Sequence, residues 1–69
     1  MMEKIFTTKS GITLYAKIEG DDVKSFFTDG KAEEIIAALK EDYNSLDFVA
    51  KNMASMLLAL ISKLGIKEQ

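Results

Sequence analysis

Ile12-Thr13-Leu14-Tyr15-Ala16-Lys17-Ile18-Glu19 is the stretch that decides the fold. Ile12, Leu14, Ala16 and Ile18 alternate with Thr13, Tyr15, Lys17 and Glu19, the period-two pattern of a strand with one face buried. Ser10-Gly11 before it and Gly20-Asp21-Asp22 after it are turn sequences suited to tight hairpins. The flanking segments, Lys4 to Lys9 and Val23 to Thr28, are also rich in β-formers. Together they predict an antiparallel three-stranded meander over residues 3–28, with Ile12 to Glu19 in the middle.

Beyond Asp29-Gly30 the period changes. Ala32, Ile35, Ile36, Leu39 and Tyr43 fall at helical spacing, with Asp29 or Gly30 as the expected cap and Glu33 and Glu34 in the first turn, where the helix dipole favours acids. A break follows at Asp42 to Ser45, where Asn44 with Asp47 resembles a capping box. A second helix is expected from about Leu46 to Leu64, closed by Gly65. Its predicted core stripe is Leu46, Val49, Ala50, Met53, Leu57, Leu60, Ile61 and Leu64. The fold class is therefore α+β: one domain over residues 1–69, with a meander followed by a two-helix layer at 30–65 packed on one face of the sheet. The residues expected to be most deeply buried are Leu14, Phe27, Ile36, Leu39, Leu57 and Leu60.

Composition narrows the chemistry. A chain of 69 residues is near the size at which a hydrophobic core alone outweighs folding entropy, and it has neither Cys nor His to build a disulfide or a Cys/His zinc site. Good packing or oligomerisation must supply the stability. All nine basic residues are Lys, against eleven acids, so the net charge of -2 disfavours general attraction to nucleic acid or anionic membrane. The N-terminus has no apolar stretch of signal-peptide length, and the uncharged run from Asn52 to Ser62 is too short to span a bilayer. The expected localisation is cytoplasmic, without membrane association.

Without His, Cys or Arg, the usual general base, thiol nucleophile and bidentate anion clamp are missing, and no Ser lies in a nucleophile elbow. The acidic pairs Asp21-Asp22, Glu33-Glu34 and Glu41-Asp42 lack the alternation of a calcium loop. Gly30-Lys31 lacks the earlier Gly and following Ser or Thr of a phosphate loop. No catalytic residue, metal ligand or cofactor is assigned, and the chain is expected to act by binding rather than by catalysis.

Two surfaces are candidates for that binding. A two-residue turn at Ser10-Gly11 pairs positions summing to 21, and a second centred on Gly20-Asp21 pairs positions summing to 41. Ile5, Ile12, Leu14, Ala16, Ile18, Val23 and Phe27 then face the helices. The outer face carries Thr8, Thr13 and Thr28 in one row, Phe6, Tyr15 and Phe26 in the next, and Lys4, Lys17 and Lys24 in a third. Rings beside ammonium groups form a platform for a partner or for a nucleotide or nucleic acid, whereas the same pairs also stabilise a sheet with no ligand at all. The second surface is the side of the long helix away from its core stripe. Phe48, Asn52, Ser55, Ala59 and Ser62 are small or aromatic there, and small residues let another helix approach, which suits a two-fold pairing between subunits or, equally, burial of the helix on most sides within its own domain against the sheet and the first helix.

The layout of a short meander ending in Ile18-Glu19-Gly20-Asp21, then paired helices ending in Leu64-Gly65-Ile66, resembles small uncharacterised accessory proteins of phages and mobile elements in low-GC Gram-positive bacteria. The use of Lys as the only basic residue adds to the likeness. It implies a compact inhibitor or adaptor that occludes a host protein or sequesters a small ligand, and it transfers no functional residue. The functional expectation is a non-enzymatic, homodimeric interaction protein, with nucleotide or nucleic-acid binding by the sheet face as the alternative.

Overall fold

The computed structural model describes residues 1–68 and places β1 (Met2–Thr7), β2 (Thr13–Glu19) and β3 (Asp22–Thr28) before α1 (Ala32–Tyr43) and α2 (Phe48–Leu64). The α+β class and the helical layer are as the sequence predicts. An additional strand, β4 (Ile66–Glu68), follows α2 and pairs in parallel with β3, so the sheet has four strands in the order β1-β2-β3-β4. Parallel neighbours need a crossover, and here the two helices form it. Both helices therefore lie against the same sheet face. Three residues are too few for periodicity to reveal a strand.

The first hairpin is closed by Lys9-Ser10-Gly11 and not by Ser10-Gly11 alone. Thr8 N donates to Ile12 O at 2.8 Å, Gly11 N donates to Thr8 O at 3.0 Å, and Gly11 takes φ 91°, the geometry of a three-residue loop ending in a glycine. Thr8 Oγ1 also accepts from Ile12 N at 3.1 Å and lies 2.9 Å from Ser10 Oγ. The longer loop changes the parity of the register. Thr7 faces Thr13 and Phe6 faces Leu14, which turns Phe6 toward the helices. A bulge at Ile5 then restores the expected parity, so that Lys4 faces Tyr15 on the outer side.

The second hairpin begins as predicted. Glu19 faces Asp22 and Ile18 faces Val23 around Gly20-Asp21, with Gly20 at φ 63°. One residue later a bulge at Lys24 shifts the register, and Lys17 faces Ser25, Ala16 faces Phe26, and Tyr15 faces Phe27. Phe26 is thereby turned inward and Phe27 outward, the reverse of the expectation.

Leu14, Ala16, Phe26, Ile35, Leu39 and Ile61 form the buried core, with Phe6, Ile12, Ile18, Val23, Ile36, Leu57, Leu58 and Ile66 packed around it. Thr28 is buried with them, not placed in an outer row, and its Oγ1 accepts from Gly30 N at 3.2 Å. Of the residues expected to be deepest, Leu14 and Leu39 are buried, Ile36 and Leu57 are half-buried, and Leu60 is exposed. Ile5, expected inside, is exposed at its bulge.

The helix ends use different caps from those predicted. Lys31 is the N-cap of α1 and offers no side-chain bond; Glu68 Oε1 of β4 instead accepts from Ala32 N at 3.0 Å. Asp29 serves the sheet, accepting from Thr13 N at 2.8 Å. Asp47, and not Asn44, caps α2 by accepting from Ala50 N at 2.8 Å. Gly65 closes the helix as expected at φ 73°, its N–H donating to Ile61 O at 2.7 Å.

Candidate functional site

The three aromatic rings placed in one outer row by the sequence are not together. Phe26 is 1% exposed in the core, Phe6 packs against that core from the edge strand, and only Tyr15 is on the open face. The lysine row is also divided. Lys4 and Lys17 face outward, but Lys24 sits at the β3 bulge, its ammonium 3.8 Å from Asp22.

The open face carries a different row. Lys4 pairs with Tyr15, Tyr15 with Phe27, and Phe27 with Lys67, a continuous ladder across all four strands. The Lys67 ammonium lies 5.6 Å from the centre of the Phe27 ring, within cation–π range. Met2, Lys17 and Ser25 make the neighbouring row on one side, and Thr7 with Thr13, their hydroxyls 3.3 Å apart, the other. Lys67 lay outside the predicted site because β4 was not legible, and Phe27 because a bulge changes parity without changing composition.

The second candidate surface is α2. Ala50, Ala54, Leu57, Leu58 and Ile61 turn toward the sheet or α1, with Ile61 buried. Residues 48, 52, 55, 59 and 62 are exposed, as the interface expectation for Phe48, Asn52, Ser55, Ala59 and Ser62 requires. Part of this flank is already occupied by α1: Ser55 Oγ donates to Tyr43 Oη at 3.2 Å, and the Lys51 ammonium stands 5.7 Å above the Tyr43 ring.

The unoccupied apolar surface lies on the other flank, where the sequence placed core. Val49 is 66% exposed, Met53 67% and Met56 68%, and Leu60 and Leu64 continue the line in exposed positions. These five fall within an arc of about 80° on the helix. The predicted core stripe is thus split. Its Ile61 side meets the sheet, its Val49 and Met53 stand mostly in solvent, and its Leu60 and Leu64 are covered only in part, at 38% and 39% exposed. Leu60 and Leu64 border a shallow groove with Val23, Lys24 and the Asp21-Asp22 turn.

An open groove of about 410 Å³ lies elsewhere, between the first hairpin and α1, with Phe6, Ala37 and Ala38 at its apolar side and Glu34, Glu41 and Asp42 at its rim. Among the described residues, no group of three or more Asp and Glu side chains is arranged to hold a metal ion, and no helix is long and apolar enough to cross a membrane. No protein-family model matches the chain, and no curated protein or solved structure matches it either.

Proposed function

We propose that the chain is a non-enzymatic interaction protein that docks another protein chain through the apolar side of α2. The observation that carries this is the exposure of Val49, Met53, Met56, Leu60 and Leu64 in one line on a helix whose other face is packed. Monomeric proteins seldom leave a contiguous apolar strip of this kind on the surface. The sheet offers a poorer docking edge. β1 is interrupted by its bulge and β4 has only three residues, both devices that discourage strand addition. In this proposal the protein is a cytoplasmic accessory factor of the phage or mobile-element kind, acting through protein–protein contact.

Photo-cross-linking tests the proposal. A photoreactive residue at Met53 is expected to give discrete protein adducts, to this chain or to another, whereas the same group at Glu33 on α1 gives none. Absence of any adduct at Met53 in cells that express the chain refutes docking by this face.

A second reading is supported by the Lys4–Tyr15–Phe27–Lys67 ladder. Two rings bracketed by ammonium groups suit stacking on a base with phosphates held at either side, which makes a nucleotide or single-stranded nucleic acid the occupant of the sheet face. Its mark is binding that weakens steeply with salt, read by fluorescence anisotropy of a labelled oligonucleotide. Salt-insensitive or absent binding removes this alternative.

A further inference from the structure

We infer that the occupant of the exposed α2 face is a second copy of this chain, held in an antiparallel, two-fold helix pair; this rests on the docking proposal above and names its partner. The spacing of the strip is the first argument. Val49, Met53, Met56 and Leu60 recur at steps of four, three and four, the alternation of a helix–helix seam, and Leu64 extends it by a further turn. Such a seam is complementary to itself when one helix is reversed. With Met56 near the axis, Met53 meets Leu60 of the second copy, and Val49 meets its Leu64, so every apolar member has an apolar counterpart.

Charge selects the antiparallel direction. The charged side chains of α2 are Lys51 and Lys63, and its N-terminal cap is Asp47. Parallel pairing sets Lys63 beside its own copy, next to the seam, and aligns two helix dipoles. Reversal brings the Lys63 end of one helix to the Asp47 end of the other and opposes the dipoles.

Area supplies the third argument. The chain exposes 4882 Å² for a mass of 7.7 kDa. A compact monomer of that mass exposes only about 4,300 Å². The excess, roughly 550 Å², approaches the ~600–800 Å² that each subunit contributes to a small stable interface. A chain with no disulfide and, among the described residues, six apolar side chains in its buried core gains further apolar burial by pairing.

Sedimentation and cysteine cross-linking of the purified chain test the inference together. At about 100 µM the wild-type chain is expected to sediment as two chains. Met56→Glu, at a position 68% exposed in the single chain, is expected to raise the dissociation constant at least ~100-fold, since it puts two carboxylates together at the axis. Because the chain has no Cys, single cysteines report the direction cleanly. An oxidised mixture of Val49→Cys and Leu64→Cys is expected to form the mixed disulfide, while each variant alone stays largely uncoupled. Self-coupling of each variant without the mixed product overturns the antiparallel direction. A one-chain mass for wild type, with no disulfide in any combination, overturns the homodimer. In that case a Met53 photo-adduct to a different protein still upholds docking, and the absence of every adduct ends both proposals.

Discussion

Phe26 and Phe27 are neighbours in the chain and project from opposite faces of the sheet: Phe26 lies against Ala16 in the core, and Phe27 lies against Tyr15 outside it, under the Lys67 ammonium. The inequality of two adjacent, identical side chains is measurable. Phe26→Ala is expected to cost about 3–5 kcal/mol, the transfer of a buried ring together with the cavity it leaves. Phe27→Ala, at a half-buried position on the outer face, loses cross-strand and cation–π contacts and part of its apolar burial but opens no core cavity, about 1–2 kcal/mol. Urea denaturation of both variants checks the assignment, and equal losses would contradict the β3 bulge.

That bulge marks the limit of what the sequence made legible. Alternation in Ile12 to Glu19 fixes the face of Leu14, Ala16 and Ile18, and Gly20-Asp21 fixes the second turn, because both signals are local. The partner strands depend on loop length and on inserted residues. Thr8 accepting from Ile12 N and Gly11 at positive φ favour a three-residue loop over a two-residue one, and that single residue sends Phe6 to the other side of the sheet. On α2, periodicity identifies an apolar arc but not which part of it the domain covers. The sheet is narrow enough to reach Ile61, cover Leu60 in part and leave Val49 and Met53 largely in solvent.

The glycine after β3 is a packing requirement. A Cβ built on Gly30 falls 2.5 Å from Ile12 Cγ2 and 2.9 Å from its Cδ1, closer than side-chain carbons approach. Gly30→Ala is therefore expected to destabilise by about 1–3 kcal/mol through overpacking. Removing the obstacle recovers part of the loss: the Ile12→Ala, Gly30→Ala double variant, which lacks both γ carbons of Ile12, should be more stable than the sum of the single changes implies. Strict additivity in that cycle would show that the two residues do not meet.

The start of α2 depends on one carboxylate. Asp47 Oδ1 accepts from Ala50 N, and no other acid stands in the first turn to complement the dipole. Removing the acceptor by Asp47→Ala is expected to cost about 1 kcal/mol, whereas Asp47→Asn, which keeps the acceptor and discards the charge, costs a few tenths. Asn44→Ala, aimed at the cap suggested by sequence, should leave stability unchanged. Thermal denaturation of the three variants separates the two capping schemes.

Ile61 and Met53 test the helical phase and the homodimer with one measurement. Both are apolar residues of α2, but Ile61 is enclosed by the sheet and Met53 is 67% exposed. In a single chain, Ile61→Ala costs about 2–5 kcal/mol, and Met53→Ala costs almost nothing, because its side chain already stands in water. If Met53 is instead covered by a second copy, its contribution follows mass action. At low protein concentration Met53→Ala should unfold like wild type, and as concentration rises the wild-type midpoint should climb while the variant lags behind it. Ile61→Ala should be destabilised by a similar amount at every concentration, since its contacts lie within one chain. A Met53→Ala penalty that is large when dilute would mean that α2 is rotated relative to the sheet. A penalty that stays near zero over a thousandfold range, roughly 0.1–100 µM, would leave the exposed seam without a second copy to cover it.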